Sequence, residues 1–224
     1  MKTRIVKAAL LIGTIMLSTV HAGDQPLGRT ADADSQLPRP FDVLAVTGPA
    51  AGRFHCAVCD YGVRPFVLVF LRTPDENGGA FLKALDGLAA KHADAELGVA
   101  AVFLGDGAYR QALLKADDAH GAELAKAIAA EKEAADTVKR LAQSLGLRHA
   151  QCGLLGTDPD SLSALKAYGI PSDAAAAVFV FHKLQEVGKP ALFKSAPTKV
   201  QLDQILAEVG KVVRRAEKAN RHDD

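Results

Sequence analysis

The sequence predicts an α/β fold in which a central mixed β-sheet is flanked by helices. Two apolar runs, 66–71 and 97–104, lack the alternation of a half-exposed strand and therefore predict strands that are buried on both faces. Segments with helical spacing of apolar residues separate the strands, and this alternation is typical of parallel strands covered by helices. The last three elements are predicted as strand, strand and helix, an order that indicates an antiparallel hairpin at one edge of the sheet.

Each element has its own signal along the chain. The first strand, 41–46, is closed by turns rich in glycine and proline. Helices are predicted wherever apolar residues recur every three or four positions, as Phe81, Leu82 and Leu85 do. The remaining strands are short apolar segments rich in β-branched and aromatic residues. The predicted helices are 79–92, 120–145, 160–168 and 202–213, and the later strands are 151–155, 178–181 and 187–193.

The first 22 residues have the pattern of a signal peptide. A basic start precedes an apolar stretch at 8–20, and Val20-His21-Ala22 offers suitable residues for cleavage after Ala22. The stretch is shorter than the roughly 20 residues that a membrane-spanning helix needs. We therefore expect an exported protein, periplasmic or secreted, that has no membrane segment after cleavage. The predicted organisation is a signal peptide at 1–22, a flexible leader at 23–40, one domain at 41–213 and a charged tail at 214–224.

The charge balance argues against several classes of function. The chain has 224 residues with 27 Lys and Arg against 26 Asp and Glu. Three of the basic residues, Lys2, Arg4 and Lys7, lie in the predicted signal peptide, so the mature chain would carry a net charge near −2. Such a chain lacks the basic surface with which proteins bind nucleic acids or anionic lipids. About 200 residues can bury one full hydrophobic core, which favours a single domain.

Two segments resemble the thioredoxin-fold superfamily, in particular its peroxiredoxin-like (redoxin) branch. Residues 154–160, Leu-Leu-Gly-Thr-Asp-Pro-Asp, lead to Ala-Tyr-Gly-Ile at 167–170 and resemble a strand, acidic turn and helix of that branch. Phe-Asp-Val at 41–43, followed by Thr47-Gly48, is similar to the opening strand of a redoxin. The resemblance covers about 41–213. It implies a thioredoxin-like fold with a peroxiredoxin-type β-α insertion.

The chain departs from this family at the reactive position. Family members place the reactive cysteine just after the first central strand, but residues 71–79 read Leu-Arg-Thr-Pro-Asp-Glu-Asn-Gly-Gly, without a cysteine. The resemblance therefore does not imply a peroxidase. The family also has a cis-proline before a later strand. Ile170-Pro171 is the only candidate, and residues 172–176 separate it from the strand.

One motif indicates a specific chemistry: Cys56 and Cys59, separated by two residues. A pair at this spacing can form a small disulfide ring, and exported redox proteins use such rings for thiol exchange. We expect these two cysteines to be the catalytic residues of a thiol–disulfide oxidoreductase with a protein partner and no cofactor. Two alternatives stay open. The pair could be a structural disulfide on a non-catalytic binding module, or it could bind a metal such as copper, together with His55.

Neighbouring charges indicate which cysteine attacks. Arg53 and His55 precede Cys56, whereas Asp60 directly follows Cys59 and destabilises a thiolate there. We therefore expect Cys56 to be the exposed, attacking thiol and Cys59, nearer the buried strand, to resolve the intermediate. The chain length between Cys59 and the end of the 66–71 strand predicts that the pair lies at the opposite end of the sheet from the usual thioredoxin site.

The third cysteine and two histidines have weaker signals. Cys152, on a predicted buried strand, is expected to be a core residue that catalysis does not need. His149 is expected at the surface. His182, at the end of a strand, is a possible distant ligand only if the protein carries copper.

Overall fold

The structure is a computed structural model that describes residues 37–73, 76–105, 121–156 and 159–220. The predicted signal peptide, all but the last four residues of the leader and the end of the charged tail lie outside the described residues. So do residues 106–120, which follow the second predicted buried strand and include the first residue of the helix predicted at 120–145.

In the described residues, eight strands form one mixed sheet. They are β1 (Asp42–Ala45), β2 (Phe54–Cys56), β3 (Phe66–Leu71), β4 (Gly98–Phe103), β5 (Ala150–Leu155), β6 (Ala176–His182), β7 (Gln185–Glu186) and β8 (Ala191–Phe193). The strand order is β2-β1-β5-β4-β3-β6-β7, and β8 also pairs with β6. The predicted strands at 66–71 and 97–104 are β3 and β4, and every residue of both is buried.

The pairing directions confirm the predicted mixed sheet and the central position of β3. Strands β3, β4 and β5 are parallel, whereas β6 is antiparallel to β3 and β1 is antiparallel to β5. The hairpin expected at one edge is present, because β7 and β8 both pair antiparallel with β6. Its second strand is divided in two, since Gly188 takes a positive φ of 80° and Pro190 has no N–H to donate.

Helices cover both faces of the sheet. They are α1 (Glu76–Lys91), α2 (Ala122–Leu145), α3 (Pro159–Ala167) and α4 (Lys199–Asn220), with a short 3-10 helix at Ala93–Ala95. Helices α1, α2 and α4 pack on one face in the larger core cluster. The other face is covered by α3, the segment before β1 and the segment that contains the CxxC motif.

The last helix extends further than the sequence suggested. The charged tail was expected from residue 214, but α4 continues to Asn220, and Ala216 is 2% exposed. Among the described residues, no helix combines the length and the hydropathy that crossing a membrane would require.

Candidate dithiol site

A tight hairpin brings Cys56 onto the sheet. After β1 the chain reverses through Gly48 and Gly52, both with φ near 85°, a conformation that glycine adopts without strain. The amide of Gly52 donates to the carbonyl of Ala45, and β2 then pairs antiparallel with β1. Cys56 is the last residue of β2 and lies opposite Asp42. The three-residue strand Phe-His-Cys has no hydropathy period, which is why the sequence did not predict it.

Cys56 and Cys59 form a disulfide in the structure. Their Cα atoms are 5.4 Å apart, inside the range that a disulfide bridges without movement of the backbone. The residues between and after them form turns, and the chain reaches β3 without a helix. The amide of Cys59 donates to Sγ of Cys56 at 3.2 Å. A backbone donor at this sulfur favours its charged form, so it stabilises a thiolate at Cys56 when the bond is reduced.

The exposure of the two cysteines is the reverse of the expectation. Cys59 is exposed, whereas Cys56 is half-buried and packs against the core cluster under α3. The expectation that Cys59 is less accessible, based on its nearness to the buried strand, is therefore wrong. The reason is the burial of the preceding residue: Val58 is 1% exposed, and its insertion into the core turns Cys59 outward.

Tyr61 anchors the other side of the turn. It is 5% exposed, its hydroxyl donates to the carbonyl of Val99 at 3.0 Å, and its ring stacks on Phe66 with centroids 5.0 Å apart. A Cβ at Gly98 would lie 2.0 Å from the Tyr61 ring, so only glycine fits beneath it. Burial raises the pKa of the Tyr61 hydroxyl, and the charge of Asp60 adds to this effect. The phenol is therefore a neutral, permanent donor.

The charged residues beside the pair contact one another. Nε2 of His55 and Oδ2 of Asp60 are 2.6 Å apart. Nε of Arg64 donates to the carbonyl of Tyr61 at 3.2 Å, and its terminal nitrogen donates to the carbonyl of Asp60. The His55 ring therefore contacts Asp60, the residue whose negative charge was expected to destabilise a thiolate at Cys59.

The pair does not lie at the predicted end of the sheet. Cys56 is opposite Asp42, and the next residue of β1, Val43, is opposite Leu155 at the carboxyl end of β5. Cys56 is therefore level with the carboxyl end of the parallel strands, although β2 is four strand positions away from β3. From Cys56 the chain crosses the face of the sheet, and Tyr61 reaches the amino end of β4. The estimate from chain length failed because it did not include this crossing.

At the position where thioredoxin-fold proteins have their reactive cysteine, this chain has an arginine that contacts the loop before β6. Arg72 follows β3, and its guanidinium donates to the carbonyls of Ala174 at 2.8 Å and Ser172 at 2.7 Å. The peptide bond before Pro171 is trans. Glu76 is the first residue of α1, which begins three residues before the predicted helix start at 79.

The remaining candidates lie apart from the pair. Cys152 is buried on β5, and burial raises the pKa of its thiol to about 11. His149 is exposed, as expected. His182 is half-buried, and this burial, with the charge of Lys183, lowers its pKa. Across the described ranges, no group of three or more His, Cys, Asp or Glu side chains is placed to hold a metal ion.

Sequence reasoning missed two residues that connect neighbouring elements: Tyr61, which anchors the CxxC turn on β4, and Asp86, which binds the start of β5. Asp86 on α1 is 9% exposed, and one of its oxygens accepts the amides of residues 148, 149 and 150 at 2.6–2.9 Å. Burial raises its pKa, but these three hydrogen bonds outweigh burial and lower the pKa overall. An aspartate on the apolar face of a predicted helix was the available signal for Asp86. Tyr61 had no such signal.

Comparison with solved structures supports the fold. No family model and no curated protein sequence matches the chain. A candidate protein disulfide isomerase from Bacteroides thetaiotaomicron matches with a TM-score of 0.52 at 10% identity, over 85% of this chain and 95% of that one. A conserved protein of uncharacterized function from Geobacillus kaustophilus matches with a TM-score of 0.50 at 15% identity, over 84% of this chain and 88% of that one. The chain therefore has the predicted thioredoxin-like fold.

Proposed function

We propose that the protein is an exported thiol–disulfide oxidoreductase that acts through Cys56 and Cys59. One observation carries the proposal: a CxxC disulfide with one exposed sulfur lies on a thioredoxin-like scaffold, and a backbone amide points at the sulfur of Cys56. That amide lowers the free energy of the thiolate, which is the reactive form in thiol exchange. A candidate disulfide isomerase among the similar structures is consistent with this chemistry.

The exchange is balanced between the two proteins. The Cys56 thiolate attacks a partner's disulfide, one partner sulfur leaves as a thiolate, and a mixed disulfide forms. The Cys59 thiolate then attacks Sγ of Cys56, which releases the second partner thiolate. The partner is reduced by two electrons, and the Cys56–Cys59 bond is restored. The reverse sequence oxidises a partner dithiol.

The finer family assignment belongs to the same proposal. The inserted strand β5 and helix α3 stand where the peroxiredoxin-like branch has its insertion, which supports membership of that branch without its peroxidase activity. The pattern of the first 22 residues supports export, and disulfides persist in the oxidising compartments outside the cytoplasm. The proposed location is the periplasm or the cell exterior.

The second candidate is a binding module in which the disulfide is only structural. It is favoured by the position of the bond, which joins the end of β2 to the turn that follows. Yet Val58 and Tyr61 already hold this turn in the core, so the bond has little left to fix. A loop of four residues contributes about 2 kcal/mol in the chain-entropy account.

Trapping of the mixed disulfide tests the proposal. We expect Cys59→Ser to accumulate mixed disulfides with exported proteins, because Cys56 can attack but nothing resolves the product. Cys56→Ser should trap far less, and Cys152→Ser should behave as the wild type. The measurement is a non-reducing gel of acid-quenched cells, with identification of the bound proteins. If neither Cys56→Ser nor Cys59→Ser traps a partner and both lower the melting temperature by several degrees, the bond is structural.

A further inference from the structure

The strand that carries Cys56 has an open edge. In the described part of the chain, β2 is the terminal strand of the sheet and pairs only with β1. The strand at a sheet edge presents backbone N–H and C=O groups that another extended chain can pair with. Here the edge and the proposed reactive sulfur belong to the same three residues.

The hydrogen bonds show which backbone groups point outward. The carbonyl of Arg53 accepts the amide of Ala45, and the amide of Ala57 donates to the carbonyl of Phe41. Residues 53, 55 and 57 therefore turn their backbone groups toward β1. In an antiparallel ladder these groups alternate in direction along the strand. The N–H and C=O groups of Phe54 and Cys56 consequently face the open edge.

An exposed side chain on this edge favours a peptide partner. Phe54, a large apolar side chain two residues before Cys56 on β2, is 62% exposed. An extended segment with an apolar residue opposite Phe54 would cover that ring, and such cross-strand pairs are stabilising. Exposed charges alone would not select for such a segment.

Strand geometry also matches the covalent step. Residues that exchange both hydrogen bonds across an antiparallel pair have Cα atoms about 5.5 Å apart. A disulfide spans Cα atoms about 4.4–6.8 Å apart. The Cα separation of a partner cysteine directly opposite Cys56 on an added strand therefore lies inside the range that a disulfide bridges. Because the added strand brings its cysteine next to Cys56, the half-buried Cys56 can take part in the exchange in either direction.

We propose that the redox partner is an extended polypeptide segment that adds to the free edge of β2 as an antiparallel strand, with its cysteine opposite Cys56 and an apolar residue opposite Phe54. The inference rests on the proposed function and names its class of substrate. Addition of a strand to a sheet edge is a recurring mode of peptide recognition, in which backbone hydrogen bonds supply affinity and side chains supply specificity.

The test uses the reduced protein and a nine-residue peptide. A central cysteine in the peptide is linked by a disulfide to thionitrobenzoate, and an aromatic residue stands two positions after it, so that it lies opposite Phe54 in the antiparallel register. Attack of the Cys56 thiolate on the peptide sulfur forms the mixed disulfide and releases thionitrobenzoate, which is coloured. Dithiobis(nitrobenzoate), the same leaving group without a peptide, reports the intrinsic reactivity of the pair.

N-methylation of single peptide amides gives the decisive pattern. Methylation two positions after the cysteine removes a donor that faces Phe54, and we expect the rate at low peptide concentration to fall about fivefold, the effect of one hydrogen bond. Methylation one position after the cysteine points away from β2 and should change the rate by less than twofold. Equal effects at both positions, or none, would overturn the strand-addition inference.

Variants of Phe54 test the backbone hydrogen bond independently, by changing the protein instead of the peptide. Phe54→Ala keeps the outward N–H, whereas Phe54→Pro removes it at a position where an edge strand tolerates proline. We expect Phe54→Pro to lose a further fivefold or so with the peptide relative to Phe54→Ala, and both to react equally with dithiobis(nitrobenzoate). Val63→Ala is the matched control for an exposed apolar side chain outside β2, and it should leave the peptide rate unchanged.

The outcomes separate the two proposals. If the wild type releases thionitrobenzoate from the peptide at a rate that neither methylation nor Phe54→Pro alters, strand addition is wrong and the oxidoreductase proposal stands. If the reduced wild type reacts with neither the peptide nor dithiobis(nitrobenzoate), the proposed function itself fails.

Discussion

Cys56 and Cys59 differ in the two properties that determine which thiol attacks, the stability of the thiolate and the exposure of the side chain. Cys56 has a backbone donor at its sulfur, which favours the thiolate, whereas Cys59 has the greater exposure. We assign the attack to Cys56, because strand pairing at β2 brings the partner to the sulfur and so removes the need for free exposure. The neighbouring charges still favour Cys56 as the attacking thiol, whereas accessibility favours Cys59.

Cys152 is expected to be inert in the folded protein. Burial on β5 raises the pKa of its thiol to about 11, so little thiolate exists at pH 8. We expect iodoacetamide at pH 8 to modify Cys56 and Cys59 of the reduced native protein and to leave Cys152 unmodified, as mass spectrometry of the digested protein would show. In denaturant all three should react. Modification of Cys152 at a rate similar to that of Cys59 under native conditions would contradict this.

At the scale of single elements, Asp86 connects α1 to the start of β5. The pKa of its carboxylate is lowered in the folded state, so its contribution to stability is complete above the pKa of an exposed aspartate, about 3.9, and is lost as the pH falls through the folded pKa. Asp86→Ala would leave three amides without this acceptor. We expect it to reduce the free energy of unfolding at pH 7 by about 3 kcal/mol.

Denaturant unfolding as a function of pH checks this role. The difference in stability between the wild type and Asp86→Asn, which keeps the shape and an acceptor oxygen but not the charge, should shrink as the pH is lowered from 6 toward 2. A difference that stays constant over that range would show that the charge of Asp86 is not what stabilises the connection.

The contact between the CxxC turn and β4 depends on Gly98. A Cβ at Gly98 would collide with the Tyr61 ring, so we expect Gly98→Ala to reduce the free energy of unfolding by about 1–3 kcal/mol, the range for overpacked sites. Gly87→Ala is the matched control, because nothing lies within 4 Å of a Cβ there, and alanine should stabilise α1 by about 0.5–1 kcal/mol. Equal thermal stability of the two variants would contradict the close contact.

For the whole molecule, the sequence predicted the layout of the sheet but not the details of the site. Strands β3 and β4 were predictable because burial on both faces gives an unbroken apolar run. The exposure of Cys59 and the position of Cys56 depend on contacts of Val58 and Tyr61 with residues far along the chain. Local patterns carry no information about such contacts. The same holds for β2, whose three residues are a strand only because β1 pairs with them.

The fold also limits which activity to expect. A thioredoxin-like scaffold normally presents its reactive cysteine where this chain has Arg72 bound to the loop before β6. Here Cys56 lies instead on the edge strand β2, and Cys59 lies on the turn that Val58 and Tyr61 anchor in the core. We propose that this relocated pair still exchanges disulfides, and the reduction potential of the bond decides whether it can.

The reduction potential of the Cys56–Cys59 bond tests that claim most directly. It can be measured by equilibrating the purified protein in glutathione and dithiothreitol buffers, with quenching by alkylation and mass spectrometry to count free thiols. Redox-active pairs have potentials of about −270 to −120 mV, whereas structural disulfides in exported proteins lie below about −300 mV. We predict a value above −300 mV, in the range of the active pairs. A value below −300 mV would contradict the account and identify the bond as structural.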